Sequence, residues 1–224
     1  MKVLSLLCFV LLVASAPAGA QEREWVRYDE LLKMTNLDKF YAASPGQRDK
    51  LRVRGAITFV DRSIKPSDIV FVIVRGEERQ RIPVDDDGQF DVPVNSALQK
   101  ENPMVHTNIA KGTKAQMGFS AFAILPEGQN MSYATLMAGV AQCNDLVKSQ
   151  AGILRLFAPK FDGVAIRFAK PARQSLQILT KAGARTLHAD ANGNLALKQD
   201  EALLKENPQV VFSEPPRDVE IIAE

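Results

Sequence analysis

Cysteine is almost absent from this chain of 224 residues, which contains only Cys8 and Cys143. Cys8 lies in an N-terminal apolar run that we expect to be removed, so the mature chain would keep one thiol and no internal disulfide. This excludes the small secreted domains that depend on several disulfides for their stability. The scarcity of cysteine favours a protein of a bacterial periplasm or exterior.

The chain also has few of the residues that usually perform catalysis or hold metals. His106 and His188 are its only histidines, whereas a zinc site needs three or four converging ligands. Residues 118 to 122 have the outline of a nucleophile elbow, but Phe122 stands where the second glycine is required, which favours a plain strand residue at Ser120. The formal net charge of +2, without a long run of like charges, argues against nucleic acid or an anionic membrane as the main partner. We therefore expect no cofactor and no metal.

The first 20 residues predict export. A short basic start at Lys2 is followed by an apolar run from Val3 to Ala14, and Ala18 and Ala20 supply the small side chains that signal peptidase accepts. We expect a signal peptide over residues 1 to 20, cleaved after Ala20. The apolar run is shorter than the ~20 residues of a membrane-spanning helix. No cysteine stands at the cleavage point to carry a lipid, so the sequence predicts a free periplasmic or secreted protein with no transmembrane segment after cleavage.

The hydrophobic pattern predicts a mainly β protein with a few helices. Residues 25 to 41 have helical spacing and predict a helix with a break near Asn36, docked on the domain that follows. From residue 51 the spacing changes to alternation, and the apolar run from Ile69 to Val74 is rich in β-branched residues, as strands are. Residues 132 to 148 again carry an apolar stripe at helical spacing. Because Cys143 lies on that stripe, we expect a packed, inert thiol rather than a nucleophile.

The chain resembles itself at an offset of 105 residues. Nine of the 21 positions from 85 to 105 are identical to the residues 105 positions later, where ordinary amino-acid usage would produce about one or two. This predicts a tandem duplication, in which each copy contains strands, a tight turn, a short helix and a further strand. The repeated motif comprises Asp85, Gly88, Leu98, Lys100, Glu101, Asn102 and Pro103 in the first copy, and Asp190, Gly193, Leu203, Lys205, Glu206, Asn207 and Pro208 in the second.

The repeated motif has a structural interpretation and two functional alternatives. Asn95 and Asp200 can cap the short helices, and the asparagine and proline that follow can stop them, so each residue has a local structural task. A recognition surface is one alternative. A calcium site at Asp85 and Asp87 is the other, but the third acid and the distal glutamate of a calcium loop are missing, which favours a hairpin turn.

Two resemblances to known proteins rest on this part of the chain. Residues 84 to 94, with the sequence VDDDGQFDVPV, resemble hairpins of the transthyretin-like and carboxypeptidase-regulatory β-sandwich domains. The stretch that continues through Leu98, Asn102, Pro103 and Val105 is similar to a group of exported bacterial proteins of unknown function. The resemblances imply a β-sandwich and carry over no catalytic residue.

Together these observations predict an α+β, mainly β protein with two tandem related β-sandwich-like units joined by an α-helix. The predicted segments are a signal peptide (1 to 20), an N-terminal helical segment (21 to 50), a first β repeat (51 to 125), a linking helix (126 to 159) and a second β repeat (160 to 224).

The expected function is that of an exported, non-enzymatic binding or envelope-associated structural protein. Its partner would be another envelope protein or a small ligand. An envelope hydrolase or hydrolase inhibitor is the alternative, and it would need His106 or His188 beside Ser120, Asp85 or Glu101 in a cleft. A metal carrier is a third possibility.

Overall fold

A computed structural model describes residues 22–150, 160–170 and 173–223. The predicted signal peptide, residues 1 to 20, lies outside these described residues. The described chain contains 14 β-strands and five α-helices, and every strand pairing in it is antiparallel. This confirms the predicted α+β, mainly β fold class.

The elements fall into two halves along the chain. The first half contains β1 (Arg23–Arg27), α1 (Tyr28–Met34), α2 (Leu37–Ala42), β2 (Leu51–Phe59), β3 (Val70–Arg75), β4 (Glu78–Pro83), β5 (Gln89–Phe90), α3 (Ser96–Glu101), β6 (Met104–Thr107) and β7 (Ala115–Ala123). The second half contains β8 (Asn130–Ser132), α4 (Tyr133–Gln150), β9 (Phe161–Phe168), β10 (Ser175–Thr180), β11 (Gly183–His188), β12 (Asn194–Lys198), α5 (Glu201–Glu206), β13 (Gln209–Phe212) and β14 (Pro216–Ala223). Short 3-10 turns at Pro45–Gln47 and Pro66–Asp68 lie in the first half.

The strands form one central sheet and two outer sheets. The central sheet has the order β12-β9-β14-β7-β2-β5, so each half contributes three neighbouring strands. The halves meet where β7 runs beside β14, with Phe122 opposite Glu220. Each half also builds its own four-stranded outer sheet, with the orders β1-β6-β3-β4 and β11-β10-β13-β8. The strand order of the second half therefore mirrors that of the first.

Strand register recurs between the halves as well as strand order. Val70 lies opposite Pro83 in the first outer sheet, and Ser175 lies opposite His188 in the second, at an offset of 105 residues for both partners. The pairing of β3 with β6 recurs in the pairing of β10 with β13 at the same offset. In the central sheet, Ala56 lies opposite Gln89 and Arg167 lies opposite Asn194, so Arg167 takes the place of Ala56.

One hydrophobic core serves both halves. Buried residues of the first half, such as Leu31 and Phe71, belong to the same cluster as Val140 and Ile166 of the second half. Helix α4 packs against β2 and β7 as well as β9 and β14, so it covers the place where the halves meet. Burial of apolar surface from both halves in one cluster is the main force that holds them together.

The contacts group the elements differently from the predicted segments. We expected helix α4 to be a linker, but its first residue makes the same kind of backbone hydrogen bond as that of α1. The N–H of Tyr133 donates to the carbonyl of Pro208, as the N–H of Tyr28 donates to the carbonyl of Pro103. Helices α1 and α4 are therefore counterparts, and each belongs to its own half of the molecule. Residues 151 to 159 of the predicted linker lie outside the described residues.

The predicted helix over residues 25 to 41 is wrong at its start. Residues Arg23–Arg27 form strand β1, which pairs with β6 at the edge of the first outer sheet. Trp25 stacks on Phe71 with ring centroids 5.1 Å apart, which anchors this strand to the core. The predicted break near Asn36 is confirmed, because Asn36 has a left-handed conformation (φ 54°) between α1 and α2. No helix in the described ranges is both long and apolar enough to cross a membrane.

Candidate functional site

The repeated asparagine and proline form a connection that we call the Asn-Pro latch, composed of Asn102 and Pro103 in the first half and Asn207 and Pro208 in the second. Asn102 ends α3 in a left-handed conformation, and its side-chain Oδ1 accepts a hydrogen bond from the backbone N–H of Asp29, at 2.9 Å. The carbonyl of Pro103 accepts the N–H of Tyr28, also at 2.9 Å. These bonds satisfy two of the N–H groups that the first turn of α1 leaves unpaired.

The second latch repeats this arrangement atom for atom. Asn207 ends α5 with φ 51°, and its Oδ1 accepts the N–H of Ala134 at 2.9 Å. The carbonyl of Pro208 accepts the N–H of Tyr133 at 2.9 Å. Each latch therefore joins the end of a short helix to the start of another helix that is distant in the sequence. This role is structural.

In the acidic turns, the side chains of Asp85 and Asp190 accept hydrogen bonds from the backbone. Asp85 Oδ1 accepts the N–H groups of Asp87 and Gln89, at 3.1 and 2.8 Å. Asp190 Oδ1 accepts the corresponding groups two and four residues later, at 2.9 and 2.8 Å. Gly88 and Gly193 close these turns with φ values of 78° and 80°, which favour glycine. In the described part of the chain no group of three or more metal-binding side chains comes together.

The other motif residues lie apart from one another and make no common site. Leu98 is buried in the core and Leu203 packs against the core, whereas Lys100 and Lys205 are exposed. Glu101 accepts two hydrogen bonds from the Arg75 guanidinium, both at 2.7 Å. Glu206 instead accepts the backbone N–H of Lys181 at 2.6 Å, so its role differs between the halves.

The residues that a hydrolase would need are not brought together. His106 Nδ1 lies 3.0 Å from Glu22 Oε1, and His188 lies on the exposed edge strand β11. Ser120 Oγ lies 3.3 Å from Gln89 Nε2, which donates to it. Cys143 is buried in α4, and burial raises the pKa of its thiol to about 12, which keeps it protonated. The geometry therefore provides no nucleophile beside a base among these residues.

The central sheet carries a cluster of charged side chains on the face that points away from the core. On the first half of the sheet, Arg54 contacts Asp85 at 2.6 Å and Asp91 at 3.2 Å, and it donates to Gln89 Oε1 at 3.1 Å. Only 16 % of the Arg54 side chain is exposed. A charge this far from water requires such partners, because desolvation would otherwise be costly.

A second cluster, which we call the junction network, connects the two halves. It consists of Asp87, Arg167, Arg217, Asp218 and Glu220. Arg167 of β9 contacts Asp87 of the first half at 2.8 Å and also pairs with Glu220, while its Nε lies 3.7 Å from Asp218 Oδ1. Arg217 Nε donates to Asp218 Oδ2 at 2.8 Å. The junction network has three carboxylates and two guanidinium groups, so it carries one negative charge in excess.

Sequence reasoning missed the junction network because its members lie far apart along the chain. One signal was available in the sequence, because Asp87 stands where the second half has Asn192 at the 105-residue offset. The equivalence of Arg167 and Ala56 emerges only from the strand pairing. A charge that has no counterpart at the equivalent position of the other half is free to make a contact between the halves.

A cleft of about 340 Å³ lies at the edge of the junction network. The connection between the halves and the start of β14 line it, with Leu125, Pro126, Glu127, Pro215 and Asp218 among the lining residues. The Oδ1 atom of Asp218 is buried and accepts no hydrogen bond within the described residues, although Arg167 Nε lies 3.7 Å from it. A buried carboxylate oxygen without a donor is unusual, because almost all buried polar atoms are paired.

A second groove of about 480 Å³ lies between α4 and the segment before β2. Gln142 of α4 crosses it, donating to Asp49 Oδ1 at 2.7 Å and to the carbonyl of Gly46 at 3.2 Å, and accepting the N–H of Lys50 at 2.8 Å. These bonds attach the helix to the first half. Since its main polar groups already have partners, this groove is a structural contact.

Comparison with known protein families gives one match. Residues 64–168 match the model of a family described as a protein of unknown function (DUF2987), which is fewer than half of the 224 residues. The match extends from the turn before β3 to the end of β9 and therefore includes parts of both halves. No curated protein and no solved structure matches the chain, and none of the comparisons supports the resemblance to transthyretin-like domains.

Proposed function

We propose that this chain is an exported, non-enzymatic binding protein of a bacterial periplasm or exterior, and that the cleft beside the junction network is its binding site. The observation that carries the proposal is the buried Oδ1 atom of Asp218, which accepts no hydrogen bond among the described residues. Arg167 Nε, 3.7 Å away, compensates the charge of this carboxylate only in part, and a cationic group in the cleft would add a further partner.

The surroundings of Asp218 favour a positively charged ligand group. The junction network has one carboxylate more than it has guanidinium groups, and Glu127 adds a further acid to the lining of the cleft. Leu125, Pro126 and Pro215 offer apolar surface next to these acids. We therefore propose an amine or guanidinium group on a short apolar stem, carried by a small molecule or by a basic side chain of another protein.

The binding test uses basic probes and their neutral analogues. Butylamine and butylguanidine should shift the amide resonances of residues 125, 127, 128 and 217 to 219, whereas the neutral analogues butanol and butylurea should not. Fragments of this size bind with dissociation constants on the order of millimolar. Asp218→Asn keeps the shape of the side chain, removes its charge and should abolish the shifts.

Glu214→Gln is the matched control, since it removes the same charge next to the cleft without changing its lining. Glu214 pairs with Lys170 at 3.8 Å and does not line the cleft. Equal shifts with the neutral analogues, or unchanged binding to the Asp218→Asn variant, would contradict the proposal.

Export and duplication are part of the same proposal. The basic start, the apolar run and the small residues before Gln21 support a cleaved signal peptide. Nine identities over residues 85 to 105 and the two matching latches support a tandem duplication of one ancestral unit. If the whole chain is expressed in a bacterium, the protein recovered from the periplasm should begin at Gln21 by mass spectrometry. An intact N-terminus in the cytosolic fraction would contradict export.

A further inference from the structure

The two outer sheets end in equivalent edge strands with different chemistry. Strand β4 is the edge of the first outer sheet and β11 is the edge of the second, at the 105-residue offset. Within the described ranges each pairs on one side only. An edge strand presents unpaired backbone groups on which another strand can add, and proteins commonly block such edges with charges or proline.

The hydrogen-bond pattern shows which residues of β11 direct their backbone groups outward. The N–H of Ala189 donates to the carbonyl of Gln174 at 2.9 Å. In an antiparallel pair, every second residue directs its N–H and C=O toward the partner strand, and the residues between direct theirs away from it. Ala184, Thr186 and His188 therefore present both N–H and C=O at the edge. All three residues are exposed.

The equivalent positions of β4 are protected against strand addition. The N–H of Val84 donates to the carbonyl of Ile69, which sets the same alternation in β4. Its outward residues are Arg79, Arg81 and Pro83. The arginines would bring like charges together in a second copy, and Pro83 has no N–H to donate.

The outer face next to the β11 edge is also free of lysine, arginine, aspartate and glutamate. The exposed residues of this face in the second outer sheet include no Lys, Arg, Asp or Glu; they are Asn130, Gln177, Leu179, Ala184, Thr186, His188 and Gln209. Arg185 is the only charged residue of β11, and it alternates to the opposite face, where its strand partner Ile178 is buried. A second copy can therefore approach this edge without electrostatic repulsion on its outer face, and the exposed Arg185 side chains of the two copies would lie on the opposite face.

We propose that two copies of this chain pair through strand β11, antiparallel about a twofold axis at Thr186. Thr186 then lies opposite Thr186 of the second copy, and Ala184 lies opposite His188 in both directions. This register joins the outward groups into three hydrogen-bonded pairs, or about six hydrogen bonds, and extends the outer sheet across both copies. In this register Thr186 pairs with itself, which is a favourable cross-strand pair, and the two uncharged outer faces adjoin, which favours a second copy as the partner.

The dimer should be weak. Pairing of one six-residue edge buries less surface than the roughly 1,200 Å² at the low end of stable interfaces. We expect a dissociation constant on the order of tens of micromolar. Sedimentation velocity of the purified mature chain, over about 5 to 500 μM, covers this range.

The test replaces the outward residues of β11 by those that β4 carries at the same positions. The variant with Ala184→Arg, Thr186→Arg and His188→Pro should raise the dissociation constant at least about tenfold, since it adds repulsion and removes a donor. The control with Gln209→Arg and Asn130→Arg adds the same charge to the same face, away from the edge, and should change the constant by less than about twofold.

Three outcomes would overturn the proposal: a monomer at every concentration, an unchanged dimer in the edge variant, or equal weakening in the control. Hydrogen exchange of the wild-type chain gives a test that does not depend on the folding of a variant. The amide of Thr186 should exchange more slowly as concentration rises, whereas the amide of Arg81 on the equivalent edge should not change. Equal behaviour of the two amides would also contradict pairing through β11.

Discussion

Replacing Asn207 by alanine should destabilise the protein by about 2 to 3 kcal/mol. Two separate losses make up this figure. The hydrogen bond from the N–H of Ala134 to Asn207 Oδ1 disappears, which costs about 1 kcal/mol, as at a helix cap. Alanine is also unfavourable at a left-handed φ of 51°, by about 1 to 2 kcal/mol, whereas asparagine tolerates it.

Glycine separates the two losses at this position. Asn207→Gly removes the hydrogen bond but adopts the left-handed conformation without strain, so it should cost only about 1 kcal/mol. Urea unfolding measures the difference: for a slope of about 2 kcal/mol per molar, Asn207→Ala should lower the midpoint by about 1 M and Asn207→Gly by about half as much. Equal costs for glycine and alanine would refute the role of the left-handed conformation, and no cost for either would refute the latch.

Aspartate distinguishes the two latches from each other. Asn207→Asp keeps an acceptor at the start of α4, where a negative charge is favourable, and should be close to neutral. At the first latch, Lys33 and the amide of Asn102 hold the pKa of the Asp29 carboxyl below its usual value. Asn102→Asp would remove that donor and place two carboxylates together, so it should cost more than Asn207→Asp. The reverse order would contradict the assigned hydrogen bonds.

The remaining predictions concern one turn, one ion pair and one thiol. Gly88→Ala should cost at least about 2 kcal/mol, because a Cβ would lie 2.2 Å from the carbonyl oxygen of Ile57 at φ +78°; Gly112→Ala, in open space at φ +87°, is the control and should cost about 1 kcal/mol in urea unfolding. Hydrogen bonding to Arg79, together with His106, lowers the pKa of Glu22 below 4.5. The ionised Glu22 carboxylate therefore stabilises the fold above pH 4.5, and this stabilisation is lost as the pH falls through the lowered pKa. The stability difference between wild type and Glu22→Gln should therefore be constant above pH 4.5 and close below it; a difference that grows in acid would contradict this sign. Burial and a pKa of about 12 should protect Cys143 from iodoacetamide in the native protein, and mass spectrometry should find labelling only after unfolding.

The features that sequence reasoning predicted correctly are governed by near neighbours along the chain. Asn95 and Asp200 cap α3 and α5 as expected, because a cap depends only on the next few residues. The turn at Gly88 follows from the local need for a positive φ. The mainly β class follows from alternation, which marks strands that have one buried face.

Sequence reasoning failed where distant residues decide the outcome. The helical spacing of residues 25 to 41 predicted a helix from Trp25, but residues 25 to 27 belong to strand β1 because β6 offers them an open edge. Gly55 and Gly163 begin similar stretches of sequence, yet they occupy different positions, because Gly55 lies opposite Phe90 whereas Gly163 lies opposite Lys198. Gly55 leaves room for the ring of Phe90, whose nearest atom would lie 2.4 Å from a Cβ, whereas Gly163 allows close approach to the backbone of Leu197.

The sequence by itself determined the strands, the tight turns, the short capped helices and the similarity between two parts of the chain, because each depends on residue types within a few positions. The tertiary structure alone decided that the two halves share one core and one central sheet. It also decided that Asp87 and Arg167, 80 residues apart, form the ion pair between the halves, and that the β11 edge lacks the protection of β4. These features depend on which surfaces meet in space, and the local pattern of a chain does not specify that.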